Sequence, residues 1–434
     1  MNHKELLNTT FNCECGKQHH VPVRKVVYKE DILDAVGDLL SSFTEGRKIT
    51  ILADQRTWQI AGQTASKSLR KSGWNVNHII VPDTDHAGPI CDDHTFNRLK
   101  EQLPPCDIAL AVGCGVINDL TKWLTFDRDI PYAVVATAAT MNGFTAANIA
   151  ATLDGVKTIL FAKAPLAVFA VPSIIQDAPF ELTTAGLGDV IAKPVSTADW
   201  LMNHIFLDEY FCPFCSRMIT DLEPAYFDHP HDIKSRNPAT TEALFNALIY
   251  SGIAMTIVGT SAPASGGEHL LSHTLDMMSS IDKKPHDLHG RQVGFGTLFA
   301  CTLYEKIFQI EKPQILALSK EIDTEFWGIL AANVQSQYTQ KQPLMKTIGE
   351  KITDPATWQK FLDTVRPNVR TPAEIKNCLK QAGAAYTFTQ IGCDRNRIRN
   401  AALHMHEIRK RPTIVDLAWL LGILPNAIDE IIGC

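Results

Sequence analysis

The chain has 434 residues, 45% hydrophobic and 20% charged, with a formal net charge of −6. This is the composition of a soluble globular protein long enough for two domains, and its mild acidity excludes the basic footprint of a nucleic-acid binder. Eleven scattered cysteines, an odd number, fit a reducing cytoplasm better than a disulfide framework, and the polar start Met1–Asn12 reads as neither an export signal nor a lipidation motif.

The first 25 residues contain FNCECGKQHHVPV, with Cys13, Cys15, His19 and His20. The favoured expectation is a plain strand-and-turn hairpin. Zinc is the alternative, with Cys212 and Cys215 of CPFC as the second half, but the paired CxxC spacing is missing. From about residue 28, helix and strand patterns alternate. Helices are predicted over 30–43, 58–71, 95–102 and 117–124, and strands over 48–53, 76–81, 108–112 and 132–137. Further β-like runs occupy 148–152, 156–160 and 167–171. Such alternation implies βαβ units and a mostly parallel, Rossmann-like sheet. The continuous apolar runs ALAVG and YAVVA imply burial on both faces.

From about residue 175 the pattern is helical, with helices predicted over 241–258, 294–308, 315–320, 355–365, 372–382 and 414–421. The expected architecture is therefore an α/β nucleotide-binding domain over 1–180 and an all-α domain over 181–434, with a small-molecule site in the cleft between them. The most apolar window, Leu244–Val258, is interrupted by Asn246, Tyr250 and Ser251. It reads as a buried core helix rather than a membrane span.

Three stretches carry chemistry. In VGCGVINDLTK, Gly113 and Gly115 follow a buried strand and open a helix, which suits backbone approach to a diphosphate. The third glycine position of GxGxxG is Asn118. Thr137 and Thr140 offer hydroxyls at the carboxyl end of the next strand, and Asp83 after the second strand is a candidate partner for a ribose hydroxyl. The stretch Ser265–Gly296 holds His269, His273, His286 and His289, the first two spaced to share a helix face. Asp189, after Gly186 and Gly188, reads by itself as a cap or first-turn acid; with the histidines it makes an Asp/His/His metal set conceivable.

Taken in order, GCGVIND, TMNGFT, AGLGD, SGGEHLLSH and LHGRQVGFG resemble the iron-containing alcohol dehydrogenase and glycerol dehydrogenase superfamily. The resemblance is greatest to its sn-glycerol-1-phosphate dehydrogenase branch, including the bacterial AraM-type proteins, and covers most of the chain. It implies a dehydroquinate synthase-like architecture, NAD or NADP as cofactor, and one divalent metal, whether zinc, nickel or iron. It places metal ligands at Asp189, His269 and His289 and a substrate-side residue at His273, leaving His286 as a loop residue. It puts Asp54, Gly113, Gly115, Val116, Asp119, Thr137 and Thr140 on the cofactor side. Asn142 stands where many relatives have Asp, and Lys193 stands where the alcohol dehydrogenase branch has a further histidine; both are expected near an anionic substrate.

The implied reaction is metal-dependent, NAD(P)H-linked reduction of dihydroxyacetone phosphate to sn-glycerol 1-phosphate, by a homo-oligomer acting on a small phosphorylated substrate. Competing readings are a polyol dehydrogenase, a dehydroquinate-synthase-like cyclase, whose Glu ligand Asp189 does not match, and a non-catalytic binding protein. A zincin is disfavoured because Leu270 follows His269 where H-E-x-x-H needs Glu.

Overall fold

The computed structural model describes residues 3–84 and 88–433. Among these residues there are ten strands: β1 (Thr10–Asn12), β2 (Gln18–His20), β3 (Lys25–Tyr28), β4 (Lys48–Ala53), β5 (Asn75–Ile80), β6 (Ile108–Gly113), β7 (Tyr132–Ala136), β8 (Asn148–Leu153), β9 (Val156–Phe161) and β10 (Ala167–Ala170). Six of them form an all-parallel sheet in the order β3-β10-β7-β6-β4-β5. β1–β2 and β8–β9 are separate antiparallel hairpins, so the runs at 148–161 leave the sheet rather than extend it. The short strand β3 falls before the predicted onset of alternation.

The helices that matter for the site are α1 (Ile32–Ser41), α2 (Gln63–Lys71), α3 (Asp93–Gln102), α4 (Gly115–Asp127), α5 (Phe180–Ile191), α6 (Lys193–Leu207), α7 (Pro213–Thr220), α8 (Pro238–Val258), α9 (Gly267–Asp282), α10 (His289–Ile307) and α11 (Ala331–Ile352). Side-chain alternation explains the apolar strand runs. Ile108, Leu110 and Val112 of β6 pack with Val36, Leu40 and Leu69 of α1 and α2 on one face. Ala109 and Ala111 pack with Leu120 and Leu124 of α4 on the other. Burial of both faces follows from helices on each side of a parallel sheet. The second core continues without a break into the helical half, so the two halves share apolar packing.

After Val171 every regular element among the described residues is helical. α8 is long and apolar enough to cross a membrane by length and composition, yet 67% of that window is buried. It packs on α5, α7 and the short turn Asn142–Phe144, as a core helix does. The predicted helix at 315–320 is absent. Its polar backbone is satisfied from outside: Leu316 N–H donates to Leu420 O (2.8 Å), and Tyr338 and Gln342 of α11 donate to the carbonyls of Ser319 (2.9 Å) and Lys320 (2.6 Å). Once tertiary partners supply these bonds, the segment needs no helix to bury its backbone.

Candidate active site

The order of the parallel sheet reverses between β4 and β6, and ligands of open α/β sheets sit at such a crevice, beyond the strands' carboxyl ends. β6 ends there at Gly113, where a Cβ would stand 2.8 Å from Cβ of Ile117, closer than real packing allows. At Gly115 the nearest atom to a would-be Cβ is Met141 Sδ, at 3.6 Å. No side chain caps α4, whose first-turn N–H groups, including that of Val116, remain for an anion. This uncapped glycine turn fits a dinucleotide diphosphate.

Thr137, buried at the end of β7, donates its N–H to Gly113 O (3.2 Å) and so ties two strand ends together; Thr140 lies three residues further on. Asp54 closes β4 and accepts the N–H groups of Arg56 (2.8 Å) and Thr57 (2.9 Å). Asp83, expected as a ribose partner, is engaged instead with Arg56, at 2.7 and 2.9 Å. Asp119 works behind the turn. Its carboxylate takes Asn118 Nδ2 (3.0 Å), the fully buried Lys122 Nζ (3.2 Å) and Ala150 N–H (3.1 Å). Lys122 also donates to the carbonyls of Gly143 (2.9 Å) and Asn148 (2.8 Å), which fixes the Met141–Asn148 loop against α4.

The second cluster lies where α5, α9 and α10 meet. A side chain at Gly188 would collide with the carbonyl of Gly290, one at Gly290 with that of Ala185, and one at Gly186 with that of Ala139. These glycines therefore let α5 press directly against α10 and against the loop after β7. The consequence is that Asp189, His269 and His289 bring ligand atoms within 4.8 Å of one another. Asp189 sits in the last turn of α5, not at a helix start. The chain there is already helical from Phe180, so Gly186 and Gly188 lie inside the helix and not before it.

Each member of the cluster is held from behind. His269 Nδ1 meets Glu268 Oε1 at 2.8 Å, and Glu268 also accepts Gly266 N–H (2.7 Å). Ser272 donates to Gln292 Oε1 (2.7 Å) and therefore receives the proton of His289 Nδ1 (2.8 Å). Both rings thus turn Nε2 lone pairs inward, and His269 Nε2 lies 3.5 Å from Asp189 Oδ1. Two imidazole Nε2 atoms converging with a carboxylate, both Nδ1 positions being engaged from behind, suit a divalent cation. Asp189 itself accepts Asn142 N–H (2.8 Å) and Asn142 Nδ2 (3.1 Å), bonds that cross from the α/β half.

Charge follows from this packing. Burial opposes ionisation of Asp189, but Lys193 and His269 outweigh it and hold the carboxyl well below its ordinary range. Burial pushes His289 down to about 3, assisted by repulsion from His269. His269 resists burial through Asp189 and Glu268, which raise it. His273, one turn beyond His269, has its ring 6.0 Å from His269 and 5.7 Å from His289; burial and both neighbours keep it neutral. Lys193 Nζ lies 3.6 Å from Asp189 and donates to Ala264 O (3.0 Å). His286 is exposed and pairs with Asp276 (3.1 Å), outside the cluster.

Several participants carried no motif. Glu268, Ser272 and Gln292 orient the rings, and Lys157 of β9 adds positive charge beside His273 and His289. The retrievable signal was position: Ser272 and Gln292 each follow a cluster histidine by three residues on a helix, the spacing of a shared face. A cavity of about 310 Å³ lies along α6, lined by Lys193 at its start and by Thr197, Thr220, Glu223 and Arg370. None of the three convergent residues lines it, and its arginine is already paired with Glu223 (3.0 Å).

The profile of iron-containing alcohol dehydrogenases matches residues 27–179. A glycerol-1-phosphate dehydrogenase, NAD(P)+, of Geobacillus stearothermophilus is 28% identical over 410 residues, covering 94% of this chain and 95% of the relative. The protein of the same name from Halalkalibacterium halodurans is 30% identical over 376 residues, covering 86% and 91%. Among solved structures, a glycerol dehydrogenase from Schizosaccharomyces pombe superposes with a TM-score of 0.61 at 14% identity, covering 94% of this chain and 90% of that one; this likeness speaks for the fold. A parallel sheet with its glycine turn, a helical half bearing the Asp/His/His cluster, and near-full-length relatives agree: the chain belongs to the glycerol-1-phosphate dehydrogenase family, within the iron-containing alcohol dehydrogenases.

Proposed function

We propose that the protein interconverts dihydroxyacetone phosphate and sn-glycerol 1-phosphate, using NAD(H) or NADP(H) and one divalent metal. The observation that carries this reading is the buried convergence of Asp189, His269 and His289, in a chain whose near-full-length relatives bear that enzyme's name. Those three residues would hold the metal, which supplies Lewis acidity where hydride transfer builds negative charge on oxygen. The nicotinamide supplies the hydride.

The chain does the positioning. Backbone N–H groups from Gly113 to Val116 cradle the diphosphate, while Asp54, Thr137 and Thr140 line the same crevice and Asp119 braces it from behind. Glu268 and Ser272 fix the tautomers of His269 and His289, so that each offers Nε2. Asn142 spends its amide N–H on Asp189 and keeps its amide oxygen for a substrate hydroxyl. Lys193 and Lys157 bring positive charge to the cluster, which suits a phosphorylated substrate better than a free polyol. His273, held neutral, is placed to donate or accept a proton at the substrate's oxygen.

The decisive experiment supplies purified protein with zinc, nickel or iron(II) in turn and follows NADH and NADPH oxidation after adding dihydroxyacetone phosphate. Turnover is expected with at least one metal; none with any, or equal turnover of unphosphorylated dihydroxyacetone, overturns the reading. We also divide the chain near residue 180, since the last strand ends at Ala170 and α5 begins at Phe180. A cytoplasmic location is supported by the ten described cysteines, all free. A homo-oligomer is supported by the exposed Ile159 and Phe161 on β9, and light scattering tests it.

A further inference from the structure

The N-terminal hairpin is more than a turn. β1 and β2 pair with Phe11 opposite His19, and the connection is closed by Cys13 N–H on Lys17 O (2.9 Å). Gly16 takes a φ of +83° in that turn, which carries Cys13 and Cys15 round to the same side as His19. The hairpin is laid against the helical half, where Cys212 stands immediately before α7. As a result Cys13, Cys15, His19 and Cys212 bring three sulfurs and one ring nitrogen within 4.8 Å of one another.

The individual spacings are informative. Cys13 Sγ lies 3.7 Å from Cys212 Sγ, and His19 Nε2 lies 3.3 Å from Cys15 Sγ and 3.6 Å from Cys212 Sγ. Tetrahedral zinc with bonds of about 2.3 Å to sulfur and about 2.0 Å to nitrogen gives edges of roughly 3.8 Å between sulfurs and roughly 3.5 Å from sulfur to nitrogen. The three separations just given are already close to those edges, and the remaining ones are within 4.8 Å. A disulfide would account for two sulfurs only, and would leave a third thiol and a buried imidazole aimed at the same point.

We propose that Cys13, Cys15, His19 and Cys212 form a structural zinc site that clips the N-terminal hairpin to the helical half, separate from the Asp189 cluster. Its surroundings are those of a closed structural site. The Tyr210 hydroxyl lies 3.0 Å from Cys15 Sγ, and Cys215, in the first turn of α7, favours the thiolate form of Cys212. Such outer bonds spread the thiolate charge and fix ligand direction. His19 is only 3% exposed and Cys212 is fully buried, and four protein ligands complete a tetrahedral shell with no open position for a substrate. Around the clip, Phe11 packs edge-on against Phe214 (5.2 Å) and Glu14 pairs with Arg217, both partners lying on α7. The chain between Cys15 and Cys212 contains the whole parallel sheet, so the metal ties together parts that are distant in sequence.

The test is metal analysis joined to zinc-edge X-ray absorption on the full chain, wild type and Asp189→Ala. About one zinc per chain is expected to survive extended chelation in both, with a shell of three sulfurs and one nitrogen. Cys15→Ser is expected to drop that zinc to under about a tenth per chain, while binding of a second metal at Asp189 persists. If the variant fails to fold, the wild-type absorption spectrum decides alone. Absence of sulfur-ligated zinc, or thiol counting on the denatured protein that finds Cys13 and Cys212 joined as a disulfide, overturns the proposal. Neither outcome touches the dehydrogenase assay, so the two readings fail separately.

Discussion

At the scale of single residues, the ring of His289 depends on the hydroxyl of Ser272. Ser272 accepts its Nδ1 proton and passes a hydrogen bond to Gln292. Ser272→Ala should weaken metal affinity by roughly 10–100-fold without unfolding the chain, the usual effect of losing such a partner; unchanged affinity in a competition titration would mean the ring is oriented otherwise. Lys157→Met tests the phosphate. Loss of a hydrogen bond to a charged group, about 1.5–3 kcal/mol, corresponds to roughly a 10–100-fold rise in KM for dihydroxyacetone phosphate. Steady-state kinetics with an unmoved KM would remove Lys157 from the substrate site. Asp189, His269 and His289 were legible through the resemblance, because AGLGD, SGGEHLLSH and LHGRQVGFG stand in the superfamily's order along the chain. Ser272, Lys122 and Lys157 were not, because His289, the carbonyls of Gly143 and Asn148, and Asp276 lie on other elements and only packing selects them.

At the scale of elements, α5 and α10 cross through glycine, and the geometry of the metal cluster is a consequence of that crossing. Gly188→Ala puts a methyl group onto the Gly290 carbonyl, where backbone cannot give way as a side chain would. Overpacking of this kind costs about 1–3 kcal/mol or more. The expected result is a lower urea midpoint together with loss of metal, and a variant as stable and as metal-loaded as wild type would refute it. The long sheet strands were readable as apolar runs because both their faces are covered. β3 escaped notice because KVVY is short and only partly buried at the sheet edge. The supposed helix at 315–320 had the right local periodicity, yet α11 and Leu420 offered its backbone better partners. Local pattern cannot register such competition.

At the scale of the whole molecule, acid should loosen the fold through histidines buried without charge. His406, stacked on Trp419 at 4.3 Å, is pushed down to about 3 by burial and by Lys341. In the unfolded chain it titrates near 6.5. Because the folded value is the lower one, its contribution is complete above pH ~6.5 and is lost as pH falls toward ~3, at about 1.4 kcal/mol per pH unit. Urea unfolding of the metal-free protein at pH 7.5 and 5 should show that loss, roughly 2 kcal/mol from this group. His406→Gln should shallow the dependence, whereas an identical slope would assign the effect elsewhere.

The strand order has a further consequence during synthesis. β10 lies between β3 and β7, so the first strand of the sheet has no neighbour until the last one has been made. A ribosome delivering about 5–20 residues per second exposes β3 many seconds before its partner. β4 to β7 can pair as they emerge, while the amino-terminal segment waits. The edge that β3 completes is therefore a late event, fixed by chain order rather than by affinity.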